Sequence, residues 1–188
     1  MSSWRRWLAR GAAVAGCAAG SYLGVVTGAL TLDLHLGRRT RPLGPQLVEI
    51  SAPREVVFDV IAQPYLGRPT HAMTQKVQVV ERGADFVLAA HRTPIRGRVV
   101  ATTVETVKFD RPNRVAFRLV RGPVPHVSEQ FQLTEHDGGS RLTYDGEMAA
   151  DLWRLGSWWS AVVARRWEAA VAASLAAVKD ESERRARH

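Results

Sequence analysis

The sequence predicts an α+β domain, a seven-stranded curved antiparallel sheet wrapped around a long C-terminal helix, preceded by an N-terminal transmembrane helix. Three observations predict it. From Gln75 to Asp145 apolar and polar residues alternate with a period of two in six successive runs. From about Ser157 to Arg185 the period lengthens to that of an amphipathic helix. From Gly11 to Leu32 no residue is charged.

Composition narrows the function classes first. Of 188 residues, 46% are hydrophobic and 23% charged, which excludes a disordered chain. The single cysteine, Cys17, excludes a disulfide framework and a multi-cysteine zinc site. The net charge is +8, but residues 1–45, with six arginines and one acid, carry +5 of it. The remainder is too weakly basic for a nucleic-acid platform, so no nucleic-acid partner is expected.

The uncharged N-terminal run is long enough to cross a bilayer core of about 30 Å, and three arginines flank it on each side. Ala and Gly dominate it, so its hydrophobicity is marginal. An uncleaved signal anchor over 11–34, a cleaved signal peptide and a surface-lying Ala-rich helix all fit, and length and flanks favour the anchor. This places the protein at the cell membrane as a single-pass protein, with the side unresolved because the flanking arginines balance. Trp4 and Trp7 suit the membrane interface. Gly16, Gly20, Gly24 and Gly28 recur every four residues, a spacing that lets membrane helices pack closely and points to a homodimer through the anchor.

Residues 35–45, with two glycines and two prolines, read as a linker. Leu47, Val48 and Ile50 form a short strand. Ser51 offers a cap, Pro53 and Glu55 suit a first helical turn, Val56, Val57, Val60 and Ile61 have helical spacing, and Pro64 and Gly67 end the helix. Six strands follow, separated by Arg82-Gly83, Asp110-Arg111-Pro112-Asn113, Gly122-Pro123-Val124-Pro125 and Asp137-Gly138-Gly139. The last helix sets Trp159, Val163, Trp167, Val171, Leu175 and Val178 on one face. A long helix across a strongly curved sheet leaves room for a cavity that binds apolar ligands.

The opening Val48-Glu49-Ile50-Ser51-Ala52-Pro53-Arg54-Glu55-Val56-Val57-Phe58, the Phe109-Asp110-Arg111-Pro112-Asn113-Arg114-Val115 turn, the hairpin from Phe131 to Leu142 and the C-terminal helix together resemble the START-like, or SRPBCC, superfamily. The polyketide cyclase/dehydrase and lipid-transport branch is the nearest match. The resemblance covers roughly Gln46 to Arg185 and implies the helix-grip fold. It implies no catalytic signature, because the superfamily holds carriers, receptors and cyclases. The expected organisation is a basic flank (1–10), an anchor helix (11–34), a linker (35–45) and a START-like ligand-binding domain (46–188).

Alternation places Phe109, Phe117, Leu119, Phe131, Leu133 and Tyr144 on the concave face, opposite Trp159, Val163 and Trp167, as the expected cavity lining. Glu105 and Glu129 share that face with apolar residues, where a carboxyl acquires a raised pKa and can act as acid or base. His91, read at a strand end, and Tyr144 complete the candidate proton-handling groups. His71, His126 and His136 read as surface residues. No metal-ligand spacing, phosphate loop or nucleophile elbow appears, and no metal or cofactor is expected. The functional expectation is a membrane-anchored domain that binds a lipid, isoprenoid or polyketide. A polyketide cyclase/dehydrase-type enzyme and a non-catalytic interaction protein are the alternatives.

Overall fold

The period-two runs fold as strands whose apolar sides face one way, and that shared face fixes everything packed on it. The structure, a computed structural model, describes residues 20–67, 71–96 and 99–187. The elements are β1 (Arg39–Ile50), α1 (Arg54–Leu66), α2 (His71–Lys76), β2 (Val77–Arg82), β3 (Val87–Arg96), β4 (Val99–Asp110), β5 (Arg114–Arg121), β6 (His126–His136), β7 (Gly139–Ala150) and α3 (Trp153–Ala186). The sheet order is β1-β7-β6-β5-β4-β3-β2, with every neighbouring pair antiparallel.

The α+β architecture is the one the alternation predicts. Val87, Val107, Val115, Val127, Leu142 and Met148 are buried on the concave face of the sheet. Val163, Ala164, Val171 and Leu175 of α3 and Val57, Phe58 and Ile61 of α1 close over it. Each of these side chains larger than alanine contributes about 1.5–3 kcal/mol by leaving water. One end of the sheet holds the β4–β5 and β6–β7 turns and the start of α1. The opposite end holds the starts of β1 and β4, the β5–β6 turn and the β7–α3 junction.

The transmembrane helix is a correction. Among the described residues no helix is long and apolar enough to cross a membrane. Residues 20–26 are helical, and the chain then turns at Thr27–Gly28 and crosses the second sheet end without regular secondary structure. This strap, residues 27–38, is bonded to the domain throughout. The Thr27 carbonyl accepts the Thr102 N–H at 2.8 Å. The Thr31 hydroxyl donates to the Gly122 carbonyl at 2.8 Å and accepts its N–H at 3.0 Å. Asp151 accepts the N–H groups of Leu34 and His35 at 2.6 and 2.9 Å and Nε of Arg38 at 2.8 Å. Residues 11–19 of the expected anchor lie outside the described residues.

The glycine row changes meaning with it. Gly16 lies outside the described residues, and Gly20 and Gly24 fall in the helical turns. Gly28 sits at φ +73°, and a Cβ there would lie 2.2 Å from the Thr102 carbonyl oxygen. Gly28 therefore answers to close packing on β4, not to a helix–helix contact.

The expected linker is also corrected. Residues 39–45 are the first half of β1, paired from Arg39↔Ala150 to Leu43↔Gly146. Leu43 is 1% exposed. Pro42 and Pro45 fit because β1 is an edge strand, where a missing N–H costs no ladder bond. Gly44, at φ +73°, forms the bulge between Leu43 and Gln46. Ser51 gives no side-chain cap to α1, and Pro53 occupies that position. The helix runs past Pro64 to Leu66 and closes where the Gly67 N–H meets the Gln63 carbonyl.

Candidate functional site

The concave face carries two carboxyls, and each is met by groups from other elements. Glu105 on β4 and His91 on β3 lie on neighbouring strands, with Ala89 opposite Glu105 and His91 opposite Thr103. That diagonal brings His91 Nδ1 to 2.9 Å from Glu105 Oε2. The Thr103 hydroxyl donates to Glu105 Oε1 at 2.7 Å, so both carboxylate oxygens are engaged. On its other side, His91 Nε2 lies 3.1 Å from the hydroxyl of Tyr65, at the end of α1.

Glu129, on β6, lies opposite Phe117 on one side and Gly146 on the other. A Cβ at position 146 would come within 2.7 Å of Glu129 Cα and Cβ, so glycine leaves the carboxyl its room. The Tyr144 hydroxyl and the Trp167 indole N–H both donate to Glu129 Oε2, at 2.7 and 2.6 Å. Among the described residues no hydrogen bond is made at Oε1.

The two carboxyls are in opposite protonation environments. Burial, followed by the negative charge of Glu105, pushes Glu129 up to about 7, against the pull of the Tyr144 and Trp167 hydrogen bonds. Burial also opposes ionisation of Glu105, but the His91 charge and the His91 and Thr103 hydrogen bonds outweigh it and hold its pKa low. For His91, burial is outweighed by Glu105, and its pKa is raised. With His91 charged, both ring nitrogens donate and the Tyr65 oxygen accepts, leaving the Tyr65 proton directed onward. Burial, then Glu105 and Glu129, keep Tyr65 protonated by raising its pKa.

Aromatic rings line the path between these groups. Tyr65 meets Phe109 at 5.9 Å and Phe117 at 6.0 Å. Phe117 meets Phe131 at 5.5 Å, and Phe131 meets Tyr144 at 5.6 Å. Most of these contacts are edge-on or tilted, the favoured quadrupole arrangement. Phe109, Phe131 and Trp167 keep accessible surface although they pack against the core.

Of the expected residues, the structure brings His91 to Glu105, and Tyr144 and Trp167 to Glu129, with Phe109, Phe117 and Phe131 in one belt. His91 lies inside β3 rather than at a strand end. Leu119 pairs with Glu105 across β4–β5, and Val163 is 9% exposed in the core beneath α3. Leu133 stands apart, paired with Leu142 toward the far end of the sheet. Trp159 turns the other way and donates its indole N–H to the Pro123 carbonyl at 2.7 Å. His126 and His136 bond surface glutamates, Glu147 and Glu49. Two open depressions on the surface flank Arg54 and share only Leu133 with the expected lining.

Tyr65 is the site residue the sequence reading missed. Its signal is the i, i+4, i+8 row of Val57, Ile61 and Tyr65, obscured by Pro64, a residue that usually ends a helix.

The sequence model of a polyketide cyclase/dehydrase and lipid transport family matches residues 46–183. No curated protein matches the chain by sequence. Among solved structures, the chain is similar to the di-domain aromatase/cyclase BexL from the BE-7585A biosynthetic pathway. The TM-score is 0.62 at 14% identity over 95% of this chain, which spans 60% of that protein. It is similar to the Zhui aromatase/cyclase of Streptomyces sp. R1128, at TM-score 0.56 and 20% identity over 78% of this chain and 96% of that one. It is also similar to norcoclaurine synthase of Thalictrum flavum, solved with dopamine and hydroxybenzaldehyde, at TM-score 0.59 and 12% identity over 81% and 90%. At these identities the likeness is one of fold.

Proposed function

The chain belongs to the polyketide cyclase/dehydrase and lipid transport family, and from that premise we propose that it binds a hydrophobic small molecule, lipid, isoprenoid or polyketide, between α3 and the concave face. The observation that carries this reading is the aromatic belt of Phe109, Phe117 and Phe131, ending at a carboxyl with one uncommitted oxygen. Apolar walls with a few convergent polar groups are the usual composition of small-molecule sites. The rings supply apolar surface, and Glu129 Oε1 and the Tyr65 hydroxyl supply orientation. The test is solvent extraction of the purified full chain followed by mass spectrometry, with binding of the recovered compound followed by tryptophan fluorescence. Quenching is expected because the Trp167 indole touches Glu129, and Phe117→Leu should weaken binding. Recovery of no compound, together with no fluorescence response to apolar and polyketide ligands, would refute it.

A second reading, catalysis of the cyclase/dehydrase kind, is favoured by one observation. Glu129 is pushed up to about 7 while His91 lowers the pKa of Glu105, so a proton donor and a charged relay share the concave face. Such separated carboxyls are how one site runs acid and base chemistry together. In this reading Glu129 protonates a carbonyl or a departing hydroxyl, and the Tyr65–His91–Glu105 chain polarises the opposite end of the substrate. Glu129→Gln should then abolish turnover of an aromatic polyketide precursor while retaining its binding. Unchanged turnover would exclude it.

A further inference from the structure

The strap and the start of α3 leave a large apolar surface uncovered at one end of the sheet. Leu30, Leu32, Leu34 and Leu36 alternate along the strap and are 43–54% exposed. The residues between them hold the strap down, with Thr31 on Gly122 and Asp33 on Arg38, which itself bonds Asp151 of the domain. Beside them, Trp153, Leu155 and Trp158 of α3 are 56–61% exposed, and Tyr22 is 60% exposed.

These residues form one surface. The Leu152 and Trp153 N–H groups donate to the carbonyls of Leu36 and Gly37, and a Cβ at Gly37 would lie 2.3 Å from the Trp153 ring. Tyr22 meets Trp159 at 6.3 Å, and Trp159 meets Trp158 at 6.3 Å. Leucine on a tied-down strap and tryptophan on a rigid helix gain nothing from water. Patches of this kind on monomers mark interaction sites.

Charge and composition identify the occupant. Arg39, Arg121 and Arg154 are exposed around the patch. Of the acids at this end, Asp33 is paired with Arg38, Glu147 bonds His126, and Asp151 is buried under the strap. The sequence leading into Gly20 carries Trp4, Trp7, Arg5, Arg6 and Arg10 ahead of the uncharged run Gly11–Ala19. Aromatic and leucine side chains ringed by arginine are what the interface of a bilayer with anionic headgroups accepts.

We propose that this end of the domain docks on an anionic lipid bilayer, with Leu32, Leu34, Trp153 and Trp158 inserted at headgroup depth and Arg39, Arg121 and Arg154 on the phosphates. The protein is then peripheral, and Trp159 places the inner face of α3 next to the lipid.

The test is flotation of the full chain with vesicles of phosphatidylcholine alone or mixed with phosphatidylglycerol. Binding to the mixed vesicles is expected, and brominated lipid should quench tryptophan emission. Leu32→Ser/Leu34→Ser/Trp158→Ser should lower partitioning about tenfold or more. Arg154→Glu should weaken binding to mixed vesicles alone, without removing any apolar surface. Trp158→Phe should remove part of the brominated-lipid quenching. Unaltered flotation of the triple variant, with Arg154→Glu also silent, would assign binding to residues 1–19 and overturn the proposal. A wild-type dimer that the triple variant dissociates, with no vesicle binding by either, would assign the surface to a second copy and overturn it equally.

Discussion

The Asp151 carboxylate, at the end of β7, holds Arg38 at 2.8 Å and accepts two backbone N–H groups of the strap. Asp151 is buried and Arg38 half-buried, so this one carboxylate ties residues 34–38 to the β7–α3 junction. Removing it leaves two backbone donors unsatisfied and leaves Arg38 with Asp33 as its one remaining carboxylate among the described residues. Asp151→Ala should cost about 3 kcal/mol in urea unfolding. Hydrogen exchange at Leu34 and His35 should rise with it. An unchanged urea midpoint would show that the strap is not part of the cooperative unit.

Arg38, followed by the Leu34 and His35 N–H groups, holds Asp151 down to about 2. Its contribution is therefore complete above the ordinary carboxyl value of about 3.9 and is lost as pH falls through about 2. Acid titration of stability should show this loss in the wild type and a flatter curve in Asp151→Asn.

Glu129 has the opposite sign. Its folded pKa, about 7, lies above the ordinary value of about 4.3. Below pH 4 the group is neutral in both states. Between about 4.3 and 7 the unfolded chain ionises while the folded one keeps its proton, so stability falls as pH rises through that window. The expected loss is about 4 kcal/mol, absent in Glu129→Gln. Parallel curves for the two proteins across the window would contradict the raised value.

The His91–Glu105 pair adds stability in a window of its own. The raised His91 pKa contributes below about 6.5 and fades as pH rises through the folded value. The lowered Glu105 pKa contributes above about 4.3 and fades as pH falls through the folded value. Both are complete between those limits. Imidazole proton resonances should report a His91 pKa above 6.5 that drops in Glu105→Gln, since burial then acts unopposed. A pKa that stays put would break the pair.

Truncation distinguishes the domain boundary from the expected one. Deleting residues 1–45 removes the buried Leu43 and the β1 pairing from Arg39 to Leu43. That variant should lose its cooperative melt, whereas deletion of residues 1–19 should preserve it. Circular dichroism and a thermal scan decide between them, and a folded 46–188 fragment would restore the linker reading.

Sequence alone was enough for the α+β class, the seven strands, the long last helix and the concave placement of Phe117, Glu129, Phe131 and Tyr144. Each follows from a local period, because alternation tells which side of a strand is dry whatever the strand pairs with. The strap was unreadable because its first residues close an uncharged run whose composition is the same whether it spans lipid or lies on a protein. Only its hydrogen bonds to Thr102, Gly122 and Asp151 distinguish the two. The first half of β1 was hidden by prolines and a glycine that an interior strand would refuse and an edge strand accepts. Tyr65 and His91, or Trp167 and Glu129, lie 26 and 38 residues apart in the chain. Their meeting depends on sheet register and on how the helices seat, and the protonation of the two carboxyls depends on charges brought close through space. Periodicity carries no information on either, so the face was legible in the sequence and the partners on it were decided by the tertiary structure.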